Sequence, residues 1–437
     1  MAKFFSCLLL LTLSACGSSF TRSPHYAGVT KHLDVGGDVL VYADVEGDLP
    51  AAADYLDKIL ERVKKTYPDL KLDRVNAKRI LHQLGLDQVL AMGLSSTRDG
   101  KMFHNKVFFE YGNDRRGLLL LTGAPPRELE VARQAPGDVD IAFESDFKVK
   151  SFLELIKTIA KDIGGKDGQA LFASLNEKLP STSVSFNQLI GHLDTRVVGL
   201  IRVDYQRAFV VPGEEKITVP GFDVLLAIDD LAILFDAYHG QLETLPSVKT
   251  SAEGDLQYVE FEAAVPGAAW LKPVLVKDAK SGRVFAASSK GFVKEYLAEK
   301  TGGKALGQAT DFRRATAGFL PQANALTYVS SAFTPKVLRF IRPLGKKDKD
   351  VQAGIDLMME LLPEEGIPFA AEQVHLPDGL YYASYSRASH KTALLPALVV
   401  GPMILAGAAA AVIAREHPHT AEEPPKTPTD TLESQEP

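Results

Sequence analysis

Three features of this 437-residue chain predict an α+β fold of repeated strand-helix units with largely antiparallel sheets. Extended apolar segments ending on an acidic or polar residue lead four times into stretches with helical apolar spacing. Turn signals at Asp99-Gly100, Asn113-Asp114, Ser281-Gly282 and Pro377-Asp378-Gly379 separate short β-prone runs in the manner of hairpins. Hairpins mixed with helices favour antiparallel sheets over a doubly wound parallel sheet, whose strands need crossover helices.

Asp38 to Asp44 (DVLVYAD) reads as the first strand and precedes a helix from about Pro50 to Tyr67, where Tyr55, Leu56, Ile59, Leu60 and Val63 are spaced for one buried face. Asp138 to Glu144 precedes a helix over Phe147 to Ile163, with Phe152, Leu155, Ile156 and Ile159 repeating the pattern. Phe222 to Asp229 leads into Leu231 to Tyr238, and Ala325 to Ser331 into Pro335 to Leu344. Ile80 to Leu94 is similar to Leu189 to Ile201, each carrying a Leu-Asp pair (Leu86-Asp87 and Leu193-Asp194), which suggests a divergent internal duplication. Further strands are expected at Lys101 to Tyr111, Leu118 to Thr122, Gln257 to Ala264, Val274 to Lys277, Val284 to Ser288, Phe369 to His375 and Leu380 to Ser386. Length suggests two or three globular units, and the chain is divided into two α+β domains, 33–245 and 246–390.

The run Val284 to Ser289, then Phe292 to Leu297, Asp311-Phe312, Leu320-Pro321 and Tyr328-Val329 resembles an uncharacterised family of bacterial secreted or membrane-anchored proteins with repeated strand-helix units. The resemblance covers about Val284 to Leu344, with a fainter echo over Leu118 to Leu155. It implies fold and location and offers no catalytic residues to transfer.

The chain's ends carry the address. Lys3 and the apolar Phe4 to Leu13 read as a signal peptide over residues 1–15, since about ten residues of helix span only roughly 15 Å. Leu13-Ser14-Ala15-Cys16 resembles the bacterial lipobox, which makes Cys16 the lipidated first residue of the mature chain, followed by a linker over 16–32. The other cysteine, Cys7, lies in the removed segment, so no disulfide is expected within the mature chain. Thr392 to Ala414 is uncharged and mostly apolar, long enough to cross a bilayer despite Pro396, Gly401, Pro402 and Gly407. Residues 415–437 form an acidic, Pro-rich stretch of net charge −4 that reads as a disordered tail. These features are expected to place the body on the exported side of a bacterial envelope membrane; the resemblance to Gram-negative lipoproteins implies that Gly17, in place of aspartate, permits transport to the outer membrane, where a helical span fits badly, so inner and outer membranes both stay open.

Of the chain's net charge of −6, Cys16 to Ala414 carries −3, a balance that argues against general nucleic-acid binding, which needs clustered positive charge. Ser145-Asp146-Phe147-Lys148 matches the S-x-x-K of penicillin-recognising serine enzymes, and Lys300-Thr301-Gly302 a later part of their signature, but a helix N-cap and a helix stop explain them more simply. Asp44-Val45-Glu46-Gly47-Asp48 has part of a calcium-loop spacing, and Asp229-Asp230 less; capping and helix-dipole roles account for the first cluster. His417 and His419 sit in the tail, and no zinc-binding histidine spacing occurs. Lys346-Lys347-Asp348-Lys349 reads as a solvated loop or a lipid-headgroup contact. No catalytic, cofactor or metal residues are assigned. The expected function is a non-enzymatic binding, scaffolding or tethering lipoprotein, attached to the membrane by its lipid and C-terminal helix and able to hold an envelope protein partner. The alternative is an envelope hydrolase whose site is assembled from distant residues.

Overall fold

The computed structural model describes residues 23–68, 72–121, 125–211, 214–262, 268, 270–298, 304–342, 352–357 and 366–392. Alternating apolar residues produce strands at β1 Val39–Asp44, β2 Val89–Asp99, β3 Met102–Tyr111, β4 Ile141–Lys148, β5 Asp194–Val211, β6 Glu214–Ile228 and β7 Val248–Glu253. The series continues with β8 Leu256–Phe261, β9 Val274–Asp278, β10 Val284–Ala287, β11 Ala325–Val329, β12 Phe369–Leu376 and β13 Gly379–Ser386. They form one 13-stranded sheet in the order β1-β2-β3-β13-β12-β11-β4-β5-β6-β10-β9-β8-β7, and every pairing is antiparallel.

That order corrects the division into 33–245 and 246–390. Strands from the two segments interleave: β13 pairs β3, β11 pairs β4 and β10 pairs β6. The contacts cluster into one unit over Gly17–His390. The other unit, Met1–Cys16 with Lys391–Pro437, lies outside the described residues apart from Lys391 and Thr392. The expected signal peptide, Cys16, the rest of the apolar segment after Thr392 and the acidic tail therefore fall outside the described residues. Among the described residues, no helix is long and apolar enough to cross a membrane.

The helices that accompany the sheet include α1 Tyr26–Thr30, α2 Asp48–Thr66, α3 Ala77–Leu84, α4 Glu130–Gln134, α5 Val149–Ala170 (kinked at Gly165), α6 Phe186–Gly191, α7 Ala232–Leu242, α8 Lys290–Leu297, α9 Thr310–Ala315 and α10 Phe333–Ile341. The order strand, two helices, hairpin occurs as β1-α2-α3-β2-β3 and again as β4-α5-α6-β5-β6. In both, the three strands lie side by side in chain order.

Short helices cover one face of the sheet. Val29 and Leu33, from α1 and just beyond it, pack with Ala91 and Phe108. They approach so closely over Gly93 that a Cβ there would lie 2.5 Å from Val29 Cγ1. Farther along the same face, Val131, Phe292, Tyr296 and Phe312 from α4, α8 and α9 join Val198, Leu200, Tyr258, Phe285 and Tyr328 in the main core. Fully burying a large apolar side chain of this kind stabilises by about 1.5–3 kcal/mol. On the opposite face, Phe235 of α7 packs on Val259 and Val284.

Two expected elements differ. The expected strand at Leu118 to Thr122 is a 3-10 turn over Gly117–Leu120 where it is described, because a continuous apolar run does not fix its own period. The strand expected to end at Glu144 continues to Lys148, and α5 begins only at Val149. Ser145 is thus a strand residue and not an N-cap. The helix start is held from outside by Asp194 Oδ1, which accepts from the Lys150 N–H at 3.0 Å.

Gly85 ends α3 in the left-handed region at φ 76°, and a Cβ there would sit 2.2 Å from the Arg116 carbonyl oxygen. Gly85→Ala therefore combines backbone strain of about 1–3 kcal/mol with a backbone clash. The variant is expected to melt several degrees lower than the native chain, and an unchanged thermal midpoint would contradict both effects.

Candidate functional site

Successive strands place alternating charges on the covered face. Asp146 of β4 pairs in register with Arg196 of β5. Beyond the last paired residues, Arg196 Nε donates to Asp229 Oδ2 at 3.0 Å and Arg283 Nε to Asp229 Oδ1 at 2.5 Å. Cross-strand neighbours of opposite charge support one another in this way. From above, Glu130 in the first turn of α4 accepts from Arg283 Nη1 at 2.6 Å and Nη2 at 2.9 Å, and from the Tyr296 hydroxyl at 3.0 Å. Arg196 Nη1 lies 3.0 Å from the same carboxylate. The two guanidinium groups outweigh burial and hold the Glu130 carboxyl below the usual range, while the paired carboxylates raise Arg283 despite its desolvation.

Glu144 stands next in this array and is 0% exposed. Its Oε2 accepts from the Val131 N–H at 2.7 Å, whereas Arg127 and Arg196 stay 3.6 Å from Oε1, which has no hydrogen-bond partner. Burial dominates there and pushes the carboxyl above its ordinary range.

Leu326 of β11 lies in register with Glu144 on one side and with Glu372 of β12 on the other. Glu372 is 3% exposed and accepts from the Leu320 N–H at 3.0 Å. Burial pushes its carboxyl up to about 8, against the smaller lowering by that hydrogen bond and by Lys106. Glu372 lines a cavity of about 490 Å³ walled by Leu129, Ala132, Phe312, Phe319, Pro321 and Leu326, among others. Exposed Glu128, Arg133 and Gln308 also line it, as polar residues at its solvent side.

A larger cleft of about 750 Å³ between α2, α3 and α5 is lined almost wholly by charged and polar side chains, including the Arg79–Asp162 pair. It has neither an apolar wall nor a buried acid, so the Glu372 cavity is the better-formed ligand site.

The sequence-predicted candidates are distributed differently. Ser145 and Lys148 occupy opposite parities of β4, which separates the S-x-x-K pair to two faces of the sheet, and the Ser145 hydroxyl donates to the Asp146 carbonyl at 3.1 Å. Asp44 accepts from the Ser23 hydroxyl at 2.5 Å and the Glu46 N–H at 3.2 Å, and Glu46 pairs with His25. Asp48 lies in the first turn of α2. Asp229 is consumed by two arginines, and neighbouring Asp230 adopts φ 59°. Among the described residues, no three histidine, cysteine or acidic side chains gather as a metal site. Lys300-Thr301-Gly302, Lys346 to Lys349, His417 and His419 lie outside the described residues.

Glu372, Glu130, Glu144 and Arg283 were not singled out from the sequence. The available signal was parity: Glu372 shares the alternation of Ala370 and Val374, and a charge at an inward position of an apolar strand is unusual. No family model, curated protein or solved structure matches the chain.

Proposed function

We propose that this chain is a membrane-anchored envelope lipoprotein whose body binds a ligand and performs no catalysis. The observation that carries the binding role is the partly apolar cavity floored by Glu372. Among the described residues that line the cavity with this acid there is no serine, cysteine or histidine, and Ser145 and Lys148 diverge across β4. The anchoring half of the proposal rests on the lipobox-like Leu13-Ser14-Ala15-Cys16 and on the apolar run Thr392 to Ala414 as a second attachment. The two strand-helix-helix-hairpin units fit a divergent internal duplication that supplied the wide sheet.

Fractionation of inner and outer membranes tests the anchors. Cys16→Ala or truncation after Lys391 should each weaken membrane retention, and the two together should release the body. Signal processing should stall in Cys16→Ala. A doubly altered chain that stays membrane-bound would require a different attachment.

A further inference from the structure

We propose that the Glu372 cavity binds an organic ammonium ion with an apolar body, the charged end lying against the Glu372 carboxylate. The assignment rests on reading the body as a binding module and adds the chemical class of ligand. Two acids on one face of the sheet differ in their surroundings. Glu144 and Glu372 flank Leu326 in register, and each accepts one backbone N–H, from Val131 at 2.7 Å and from Leu320 at 3.0 Å. Glu144 has the guanidinium groups of Arg127 and Arg196 at 3.6 Å. Glu372 has no cation at ion-pair distance among the described residues, and it borders the cavity instead. The nearest basic influence is Lys106, which lies beyond Ala383 and is held by Asp34 at 2.6 Å.

A buried carboxylate without a counter-charge is costly, and a cationic ligand removes that cost by forming the pair that the protein leaves open. The walls favour an organic cation over a hydrated metal ion, because Leu129, Leu326 and Pro321 cannot coordinate one. Phe312 and Phe319 add aromatic surface that an ammonium group can approach.

The ionisation of Glu372 gives the interaction a proton signature. Among the described residues, the other charged or titratable groups around it are Lys106 on β3, Tyr381 on β13, and Glu128 and Arg133 at the solvent side of the cavity. Tyr381 is held well above its ordinary range by burial and stays neutral throughout the interval used. A cation that requires the carboxylate must displace its proton when Glu372 begins protonated.

Titration calorimetry of the full, detergent-solubilised chain with phenethylammonium chloride, in buffers of different ionisation enthalpy, tests this. The neutral 2-phenylethanol is the comparison ligand. Saturable binding of one phenethylammonium is expected, with net proton release at pH 7 and several-fold tighter binding at pH 9. Glu372→Gln should weaken it at least tenfold. Gln308→Trp, placed at an exposed position on the solvent side, should also block entry while leaving Glu372 in place. Equal affinity for 2-phenylethanol, or undiminished affinity in Glu372→Gln, would overturn the cation assignment while leaving a binding cavity. Absence of saturable binding by either compound would overturn the binding reading as well.

Discussion

Glu372→Gln is expected to stabilise the fold at pH 8.5 by roughly 3–5 kcal/mol and to leave it nearly unchanged at pH 4.5. The sign follows from burial. The folded-state carboxyl is raised to about 8 from an ordinary 4.5, so between those values the folded chain binds a proton that the unfolded chain has lost. The stabilising contribution of the protonated acid is complete below about 4.5 and is lost as pH rises through about 8. In that window stability falls by up to about 1.4 kcal/mol per pH unit, and an uncharged glutamine escapes the loss.

His375, three residues along the same strand, works in the other direction. Burial, with a smaller contribution from Arg115, lowers its imidazole to about 4 from 6.5. The unfolded chain therefore gains a proton first on acidification, and stability drops between about 6.5 and 4. Between about 4.5 and 6.5 the two slopes oppose each other, so the pair sets a mildly acid plateau. Urea unfolding of the native chain and Glu372→Gln across pH 4.5 to 8.5 checks this. Parallel curves over the whole interval would show that Glu372 does not titrate as described.

Arg283→Met is expected to destabilise by about 3–5 kcal/mol at pH 7. Arg283 links Glu130, through two hydrogen bonds, with Asp229 through a third, and its side chain is only 9% exposed. Among the described residues, removal leaves Glu130 dependent on Arg196 and Tyr296, and the lost fork cannot be rebuilt by a lysine. The penalty arises mainly from the carboxylate left behind. Adding Glu130→Gln to Arg283→Met should recover part of the loss, because the burial cost of that charge disappears. A single variant within about 0.5 kcal/mol of the native chain by denaturant unfolding would mean that the ion array contributes little.

Elements with an unambiguous period were legible in the sequence. The expected strand Val274 to Lys277 corresponds to Val274–Asp278, and Phe369 to His375 to Phe369–Leu376. The helix expected from about Pro50 is α2, beginning at Asp48, but its expected buried face is not buried: Tyr55, Leu56 and Ile59 are exposed, and Leu49 and Ala53 are the buried residues. β7 escaped notice because five of its six residues are exposed and it shows little apolar alternation. The single sheet was hidden for a different reason. Local pattern specifies each hairpin, whereas the pairings that unite the segments, such as Ala325 opposite Ser145 in β11 and β4, join residues far apart in the chain. The candidate site is dispersed in the same manner. Glu372, Leu326 and Phe312 come together only through strand order and helix placement, so no sequence spacing announces them.

The junction of β3 with β13 imposes an order of assembly. Asn105 meets Ser386 across 281 residues of sequence, so the first three strands emerge with β3 paired to β2 on one edge and open on the other until nearly the whole body has been made. Contacts this remote slow folding, and an open strand edge recruits foreign strands while it waits. A nascent chain halted before Gly379 would thus present the wide end of an unfinished sheet, which makes the last hairpin a closing clasp for material formed at the beginning.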